Sequence, residues 1–243
     1  MNLVLFEPNE LNAPLLRTDA RGQHILTVLR RREGDTFDVG LVNGPIGKAT
    51  LAAINPDAIA LTFAWNTPLA PLHPITLLIG LPRPQTARDI LRDATTLGAT
   101  SIHFVTTERT DPNYATSSLW TTDEWRRHCL AGAAQAFDTR IPEITWTRTL
   151  ADSINLLPTD TARLALDNYE ATLAIGDVVA ASKTAKPTPL VLALGPERGW
   201  GDKDRGTLRA SRFTLAHLGS RVLRTETAAV ASLSIVRSRL GLM

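Results

Sequence analysis

The sequence predicts an α/β protein in two parts, a small β-rich unit followed by a mostly parallel sheet covered by helices. Short strands and tight turns fill the first seventy residues, a pattern typical of a compact barrel. After residue 74, apolar strands alternate with amphipathic helices, which favours a parallel sheet with both faces covered. Pro68, Pro71 and Pro74 lie between the two patterns and indicate a stiff linker. We therefore predict domains at residues 1–70 and 71–243.

The first domain is predicted to contain four strands and one helix. Residues 23–29 carry apolar side chains at helical spacing, and Asn43-Gly44-Pro45 is typical of a hairpin turn. Gly34 and Pro56 mark two further turns. The predicted strands are residues 3–6, 36–42, 46–54 and 58–65.

The second domain alternates strand and helix from residue 75 onward. Pro84 is placed to open a helix at its first position, and Gly98 to end it. Thr121 and Glu124 have the spacing of a capping box for a helix that continues to about residue 136. The predicted strands are residues 75–81, 101–105, 162–166, 190–194 and 213–218.

Two glycine-containing turns follow the last two of these strands. Residues 195–200 read Gly-Pro-Glu-Arg-Gly-Trp, and residues 218–229 read Leu-Gly-Ser-Arg-Val-Leu-Arg-Thr-Glu-Thr-Ala-Ala. Open α/β sheets bind ligands at the carboxyl ends of their strands, so both turns are candidates for a binding site. The second turn leads into an Ala-rich helix, whose first turn Thr225 or Thr227 would cap.

These two motifs resemble those of a family of ribosomal RNA methyltransferases that methylate N3 of a uridine in the small-subunit (16S) RNA. The family belongs to the SPOUT class, whose catalytic domain carries a trefoil knot that holds S-adenosylmethionine. Its members have an N-terminal RNA-binding barrel similar to PUA domains. The resemblance implies this fold, S-adenosylmethionine as cofactor, 16S rRNA within the small ribosomal subunit as partner, and a homodimer.

The resemblance spans nearly the whole chain and is weakest from about residue 115 to residue 185. Residues 21–35 look like the family's barrel signature, and residues 90–109 resemble its first methyltransferase helix and a following loop. The chain departs from the family at Asp138, where an arginine is usual. Either Arg140 carries that role here, or the role is lost.

Two further departures lie in and just after the first glycine motif. Arg198 stands where the family often has glycine, and Gly201 where it often has a serine or threonine that caps a helix. Asp202 would take over this cap.

The resemblance places the cofactor between the two motifs. Gly195, Gly199 and Gly219 would let the backbone approach the cofactor closely, while leucines pack on the adenine faces. The alternative is three ordinary turns at strand ends. The residues predicted to bind the cofactor are Leu194, Gly195, Pro196, Glu197, Gly199, Leu218, Gly219, Leu223, Arg224, Thr225, Glu226 and Ala228.

Arg224 and Glu226 are the candidate catalytic residues. Methylation of the uracil N3 requires that the nitrogen lose its proton, so a proton acceptor and a donor to the neighbouring carbonyl oxygens are needed. Arg224 would contact the target nucleotide. Glu226 would accept the proton, orient Arg224, or only complement the positive end of the last helix.

The candidate RNA contacts are mostly arginines. Nine Lys or Arg residues stand against four acids between residues 197 and 243, and a second basic cluster lies near the N-terminus. A solvated basic surface is the alternative for that cluster, and a packed core histidine is the alternative for His24. The predicted contacts are Arg21, His24, Arg30, Arg31, Arg32, Arg109 and Arg140.

Composition excludes several classes of protein. The net charge of +2 argues against binding nucleic acid by charge alone, and the single Cys129 excludes an intramolecular disulfide. No apolar run reaches the roughly 18 residues of a membrane helix, and no signal peptide is apparent, so a cytoplasmic location is expected. The spacing of His, Cys and Asp suggests no metal site.

Two alternative functions stay open at this point. One is a knotted methyltransferase that acts on a ribose 2′-hydroxyl or on tRNA. The other is an RNA-binding assembly factor that keeps the fold but not the activity. The assembly factor would bind no cofactor, and the retained Gly195, Gly219 and Arg224-Thr225-Glu226 argue against it.

Overall fold

A computed structural model describes residues 3–66, 69–181 and 188–243, without the side chains of residues 180 and 181. The chain forms two compact units: the first contains Met1–Pro71 and Ala133–Ile141, and the second contains Leu72–Gly132 and Pro142–Met243. Pro68 of the predicted linker lies outside the described residues. No helix in the described ranges is long and apolar enough to cross a membrane.

The first unit is built on a mixed five-stranded sheet with the order β1-β3-β4-β5-β2. Strand β1 pairs parallel to β3, and the other neighbours are antiparallel. The hairpin between β3 and β4 turns at Asn43, whose φ is +56°. The strands are β1 (Val4–Phe6), β2 (Leu15–Leu16), β3 (Thr36–Leu41), β4 (Ile46–Ile54) and β5 (Ala58–Trp65). The four predicted strands are thus confirmed, with shifts of one residue at two ends.

The helix predicted at residues 23–29 has two parts. An α-helical turn, α1 (Ala20–Gln23), runs into a π-helical segment at His24–Val28. The Asp19 carboxylate accepts the N–H of Arg21 and caps α1. Ile25 is fully buried in the apolar core of this unit, and Val28 is exposed. The apolar spacing therefore marked helical structure, but not the wider π turn.

The second unit contains a seven-stranded sheet with the order β10-β12-β9-β11-β6-β7-β8, and every neighbouring pair is parallel. The predicted α/β class with a mostly parallel sheet is confirmed. Its central strands are continuous apolar runs because helices cover both faces. The strands are β6 (Ile75–Gly80), β7 (Ser101–Thr106), β8 (Glu143–Thr149), β9 (Ala162–Leu166), β10 (Leu173–Ala174), β11 (Leu190–Leu194) and β12 (Thr214–His217).

The helices of the second unit agree only in part with those predicted from the sequence. Pro84 begins a helix and Gly98, with φ +74°, follows its end as predicted. The prediction that Thr121 and Glu124 form a capping box is wrong, because Thr121 is the last residue of one short helix and the next helix begins at Glu124. The helices are α2 (Pro84–Thr96), α3 (Ser118–Thr121), α4 (Glu124–Gln135), α5 (Leu150–Asn155), α6 (Ile175–Ala181), α7 (Asp202–Ala210) and α8 (Thr225–Arg239).

The last helix packs against elements from widely separated parts of the sequence. Helix α8 contacts α2, α6 and β11, and its Leu233 and Val236 side chains are fully buried. Val230 and Ile235 of the same helix are half-buried. The strand before it, β12, lies between β9 and β10.

Candidate active site

The loops that follow β9, β11 and β12 line one cavity of about 720 Å³. The three strands are neighbours in a parallel sheet, so their carboxyl ends meet at one edge. The start of α2 adds Arg83 and Thr86 to the wall. The volume falls within the range of about 300–1,000 Å³ that is typical of small-molecule sites.

The two glycine motifs meet around this cavity. Each predicted cofactor residue except Gly219 lines it. The predicted residues in the wall are Leu194, Gly195, Pro196, Glu197, Gly199, Leu218, Leu223, Arg224, Thr225, Glu226 and Ala228.

The loop at residues 195–200 is closely packed against itself and against β9. A Cβ at Gly195 would lie 3.0 Å from the backbone nitrogen of Trp200 and 3.1 Å from Cα of Gly199. Trp200 is 1% exposed, and its indole N–H donates to the carbonyl of Leu166 at 2.8 Å. Trp200 therefore belongs to the core, and the cavity is bordered at Gly195 by backbone alone.

Two other contacts hold the same loop from outside. The carboxylate of Glu197 accepts the backbone N–H of Arg83 at 2.9 Å, at the start of α2. The guanidinium of Arg109 donates to the backbone carbonyl of Arg198 at 2.8 Å. Arg109, a predicted RNA contact, thus lies beside the cavity loop in the second unit.

The loop at residues 218–224 turns at Gly219, whose φ of +103° is in the left-handed region that favours glycine. Its N–H donates to Nδ1 of His217 at 3.1 Å. Helix α8 begins at Thr225 with Arg224 at its N-cap, so the prediction that Thr225 or Thr227 caps this helix is wrong.

The predicted catalytic residues flank the start of α8. Arg224 is exposed and Glu226 is half-buried, and both line the cavity. The first turn of α8 places the Glu226 carboxylate at the positive end of the helix dipole. The arrangement brings a cation and a carboxylate together at the wall of the cavity.

The sequence motifs missed the loop after β9. Asp167, Asn168 and Tyr169 line the cavity. The Asp167 carboxylate is buried and pairs with the buried guanidinium of Arg205, with 2.8 Å between Oδ2 and Nε. Only the position of β9 beside β11 and β12 brings this loop to the cavity, and strand order is not visible in the sequence.

The start of α7 also differs from the prediction. Gly201 is the N-cap residue and Asp202 is the first helical residue, so the predicted cap by Asp202 is wrong. Instead, the buried carboxylate of Asp204 accepts the N–H of Gly201 at 2.9 Å and the N–H of Glu108 at 3.2 Å. A Cβ at residue 201 would lie 1.9 Å from the Glu108 carboxylate, so a serine or threonine there would require the Glu108 side chain to move.

Residues 68–237 match the protein family described as RNA methyltransferase domain. The chain belongs to this family. The resemblance inferred from the two glycine motifs is thereby confirmed. A relative from Treponema pallidum, named ribosomal RNA small subunit methyltransferase E, is 34% identical over 97% of this chain and 90% of its own length.

Two further comparisons agree with this membership. Ribosomal RNA small subunit methyltransferase E 1 of Borreliella burgdorferi is 26% identical, over 99% of each chain. The crystal structure of a ribosomal RNA small subunit methyltransferase E from Neisseria gonorrhoeae, bound to S-adenosyl methionine, superimposes with a TM-score of 0.75. It is 20% identical and covers 97% of both chains, so it shows a common fold.

Two of the RNA contacts that the sequence predicts, Arg21 and Arg140, are ion-paired within the first unit. The guanidinium of Arg21 binds the carboxylates of Glu10 and Asp19 at 2.7 and 2.8 Å, which raises its pKa. Arg140 pairs with Asp138, with 2.8 Å between Nε and Oδ1, and donates to the carbonyl of Ala70. Asp138, which stands where the family usually has an arginine, thus pairs with Arg140.

The other candidates in the first unit surround the π-helical segment. His24 opens it, and its Nε2 atom is buried without a hydrogen-bond partner among the described residues. Arg30 is exposed with a φ of +53°, and Arg32 is also exposed. The Nε atom of Arg31 is buried without a hydrogen-bond partner in the same described set.

The described ranges contain no group of three or more His, Cys, Asp or Glu side chains placed to hold a metal ion.

Proposed function

We propose that this protein transfers a methyl group from S-adenosylmethionine to N3 of a specific uridine in 16S rRNA. The observation that carries this proposal is that the two motifs, which follow β11 and β12 on either side of β9, meet around one cavity in a chain of the RNA methyltransferase family. The 34% identical relative is named as a methyltransferase of the small ribosomal subunit RNA, which favours 16S rRNA as the substrate.

The cavity suits S-adenosylmethionine. Leu194, Leu218 and Leu223 supply apolar surface for the faces of an adenine. At Gly195 the wall is backbone, whose N–H and C=O groups can bind the edge of the base. We assign the predicted residues as cofactor contacts, with Gly219 shaping the turn that presents Leu218. When bound, the cofactor supplies the methyl group.

We assign Arg224 and Glu226 to the reaction at the uracil. The N3 proton must leave before or during methylation, and the Glu226 carboxylate can accept it. The Arg224 guanidinium can donate to a carbonyl oxygen of the uracil, where negative charge collects as the proton leaves. A positioned base typically contributes about 10²–10⁴-fold in rate.

We further propose that the second unit carries a trefoil knot and that the first unit is PUA-like. The knot is supported by the insertion of β12 between β9 and β10 and by the packing of α8 against α2 and α6. The PUA-like assignment is supported by the five-stranded mixed sheet of the first unit. We place RNA binding in the domain at residues 1–70 and methyl transfer in the domain at residues 71–243.

The RNA contacts are proposed by position and charge. The basic residues around the π-helical segment, Arg30, Arg31 and Arg32 with His24, would contact RNA from the first unit. Arg109 would do so beside the cavity loop. Arg21 and Arg140 would contact RNA only if they keep a donor free of their carboxylate partners.

We propose a homodimer that acts on the small ribosomal subunit in the cytoplasm. Helix α8 keeps Val230 and Ile235 half-buried beside its buried core residues, so apolar surface is available for a second copy. Light scattering at micromolar concentration should give twice the chain mass. A fully active monomer would contradict the dimer.

The test is methyl transfer from radiolabelled S-adenosylmethionine to small ribosomal subunits from a strain that lacks the activity. Mass spectrometry of the product nucleoside should identify 3-methyluridine. A ribose-methylated nucleoside, or transfer only to tRNA, would support the alternative methyltransferases. Absence of both cofactor binding and transfer would support the assembly factor.

Variants of the two proposed catalytic residues extend the test. Arg224→Ala and Glu226→Gln should lower kcat by about 10²-fold or more, because each removes a group that acts on the developing charge or the departing proton. If Glu226→Gln retains full kcat, Glu226 only complements the helix dipole.

A further inference from the structure

Tyr169 presents an aromatic ring to water at the wall of the cavity. The residue is 77% exposed and lines the cavity, in the loop after β9 that the sequence motifs missed. An exposed aromatic face at a binding site is a surface that a planar ligand can cover.

The backbone that carries this ring is fixed by a buried anchor. The Oδ1 atom of Asp167 accepts the N–H of Tyr169 at 2.8 Å and the N–H of Glu170 at 2.6 Å. The Oδ2 atom accepts from Nε of Arg205 at 2.8 Å. The Asp167 and Arg205 side chains are only 1% and 5% exposed. The exposed ring therefore stands on a rigid turn.

Two neighbours also define where the ring lies. The guanidinium carbon of Arg205 is 5.4 Å from the ring centroid, within the range of a cation–π contact. A Cβ built at Gly199 would lie 3.8 Å from the ring's Cε2 atom. One side of the ring thus meets Arg205 and its edge approaches the 195–200 loop, while most of its surface stays open to a ligand.

We propose that Tyr169 is a positioning residue that stacks on the target uracil. The inference rests on the proposed function, since it requires a uracil in this cavity. The reacting N3 lies on the edge of the base, between the two carbonyl groups. A stacking contact holds the face of the base and leaves this edge free for Arg224 and Glu226, which lie at the start of α8 on another part of the cavity wall.

The test compares the variants Tyr169→Ala, Tyr169→Phe and Tyr169→Trp. Methyl transfer to small ribosomal subunits gives kcat and KM for RNA, and calorimetry without RNA gives the affinity for S-adenosylmethionine. Tyr169→Ala should lower kcat/KM for RNA on the order of 10- to 100-fold, as expected for loss of one stacked base. Its affinity for the cofactor should be unchanged.

The conservative variants separate stacking from a structural role. Tyr169→Phe and Tyr169→Trp keep an aromatic face and should retain most of the activity. Leu156→Ala is the matched control, because Leu156 is also exposed (64%) but lies outside the cavity wall. It should behave as wild type. Thermal unfolding should show that all four variants are folded.

Three results would overturn the inference. Unchanged kcat/KM in Tyr169→Ala would make the ring ordinary solvated surface. An equal loss of cofactor affinity without RNA would assign the ring to the adenine instead of the uracil. No transfer by the wild-type protein would refute the proposed function itself, and the stacking role would fall with it.

Discussion

The Asp167 carboxylate and the Arg205 guanidinium form a buried ion pair that joins the loop after β9 to helix α7. Asp167 also accepts two backbone N–H groups, and Nη1 of Arg205 donates to the Asp202 carboxylate at 3.2 Å. A buried ion pair with further hydrogen bonds of this kind is costly to break from one side. The pair therefore fixes one wall of the cavity.

Asp167→Asn should destabilise the protein strongly. It removes the buried carboxylate charge that lies nearest to Arg205, and breaking a buried ion pair from one side typically costs about 3–5 kcal/mol of unfolding free energy. Urea unfolding measures this loss. Asp93→Asn is the control, since Asp93 pairs with Arg92 on the surface, where such pairs contribute about 0–1 kcal/mol. Equal losses in the two variants would contradict a structural role for the buried pair.

Gly195→Ala should weaken cofactor binding. The new methyl group would lie about 3 Å from backbone atoms of Gly199 and Trp200, so the loop must move. Overpacking of this kind costs roughly 1–3 kcal/mol, which corresponds to a loss of about 5- to 150-fold in affinity for S-adenosylmethionine by calorimetry.

Gly206→Ala is the matched control for this effect. A Cβ at Gly206, inside α7, would meet no atom within 4 Å. The substitution should leave cofactor affinity unchanged and stabilise the helix by about 0.5–1 kcal/mol. If both alanine variants bind the cofactor as wild type does, the 195–200 loop is not part of its site.

Arg31→Gln should reduce the salt dependence of RNA binding. Removal of one phosphate contact lowers the slope of log K against log salt concentration by about 1. Arg21→Gln is the comparison, because Arg21 is held by Glu10 and Asp19 and its loss should lower the melting temperature instead. Filter binding at several salt concentrations measures the slope. A slope unaltered in Arg31→Gln would show that Arg31 makes no phosphate contact.

Acid should remove a contribution of Glu124 to stability. The hydrogen bond from Arg88 lowers the pKa of Glu124 from 4.5 to about 2. Because the folded-state pKa is lower than the unfolded one, the contribution is fully present above pH 4.5 and is lost as the pH falls towards 2.

A comparison with Glu124→Gln isolates this contribution. The excess unfolding free energy of wild type over the variant should shrink between pH 5 and pH 2, as measured by urea unfolding. Asp160→Asn, at an exposed position, should show no such trend. A difference between wild type and Glu124→Gln that stays constant with pH would refute the role of the pair with Arg88.

Cys129 should be unreactive in the folded protein. It is fully buried, and burial raises the pKa of its thiol to about 11. A thiol reagent at pH 8 should label the native protein slowly and should label one thiol per chain in denaturant. Rapid labelling of the native protein would show that α4 opens readily.

The central strands of the second unit could be predicted because they are buried on both faces. Strand β11 is a continuous apolar run of five buried residues, and it has the predicted bounds, as does β9. The glycine motifs could be placed at the sheet edge because each follows a predicted strand. Their joint cavity then followed from the parallel arrangement of the sheet.

Elements with weak apolar patterns could not be found in this way. Strand β8 (Glu143–Thr149) has no buried residue, so its sequence reads as a polar segment. The wrong prediction of the helix cap at Asp202 has a related cause. The N–H groups of Gly201 and Glu108 share the carboxylate of Asp204, and Glu108 lies far from residue 204 in the sequence. Spacing along the chain cannot reveal such a partner.

The return of Ala133–Ile141 to the first unit has a consequence for dissecting the protein. The chain passes from one unit to the other three times, after Pro71, after Gly132 and after Ile141. A fragment that ends near residue 71 lacks part of its own unit, including Ala134, whose carbonyl accepts the N–H of Leu3. After one protease cut at Pro71, residues 133–141 of the first unit stay covalently attached to the second unit. A complete first unit free of the second would require residues 1–71 and 133–141 to be joined in a new chain.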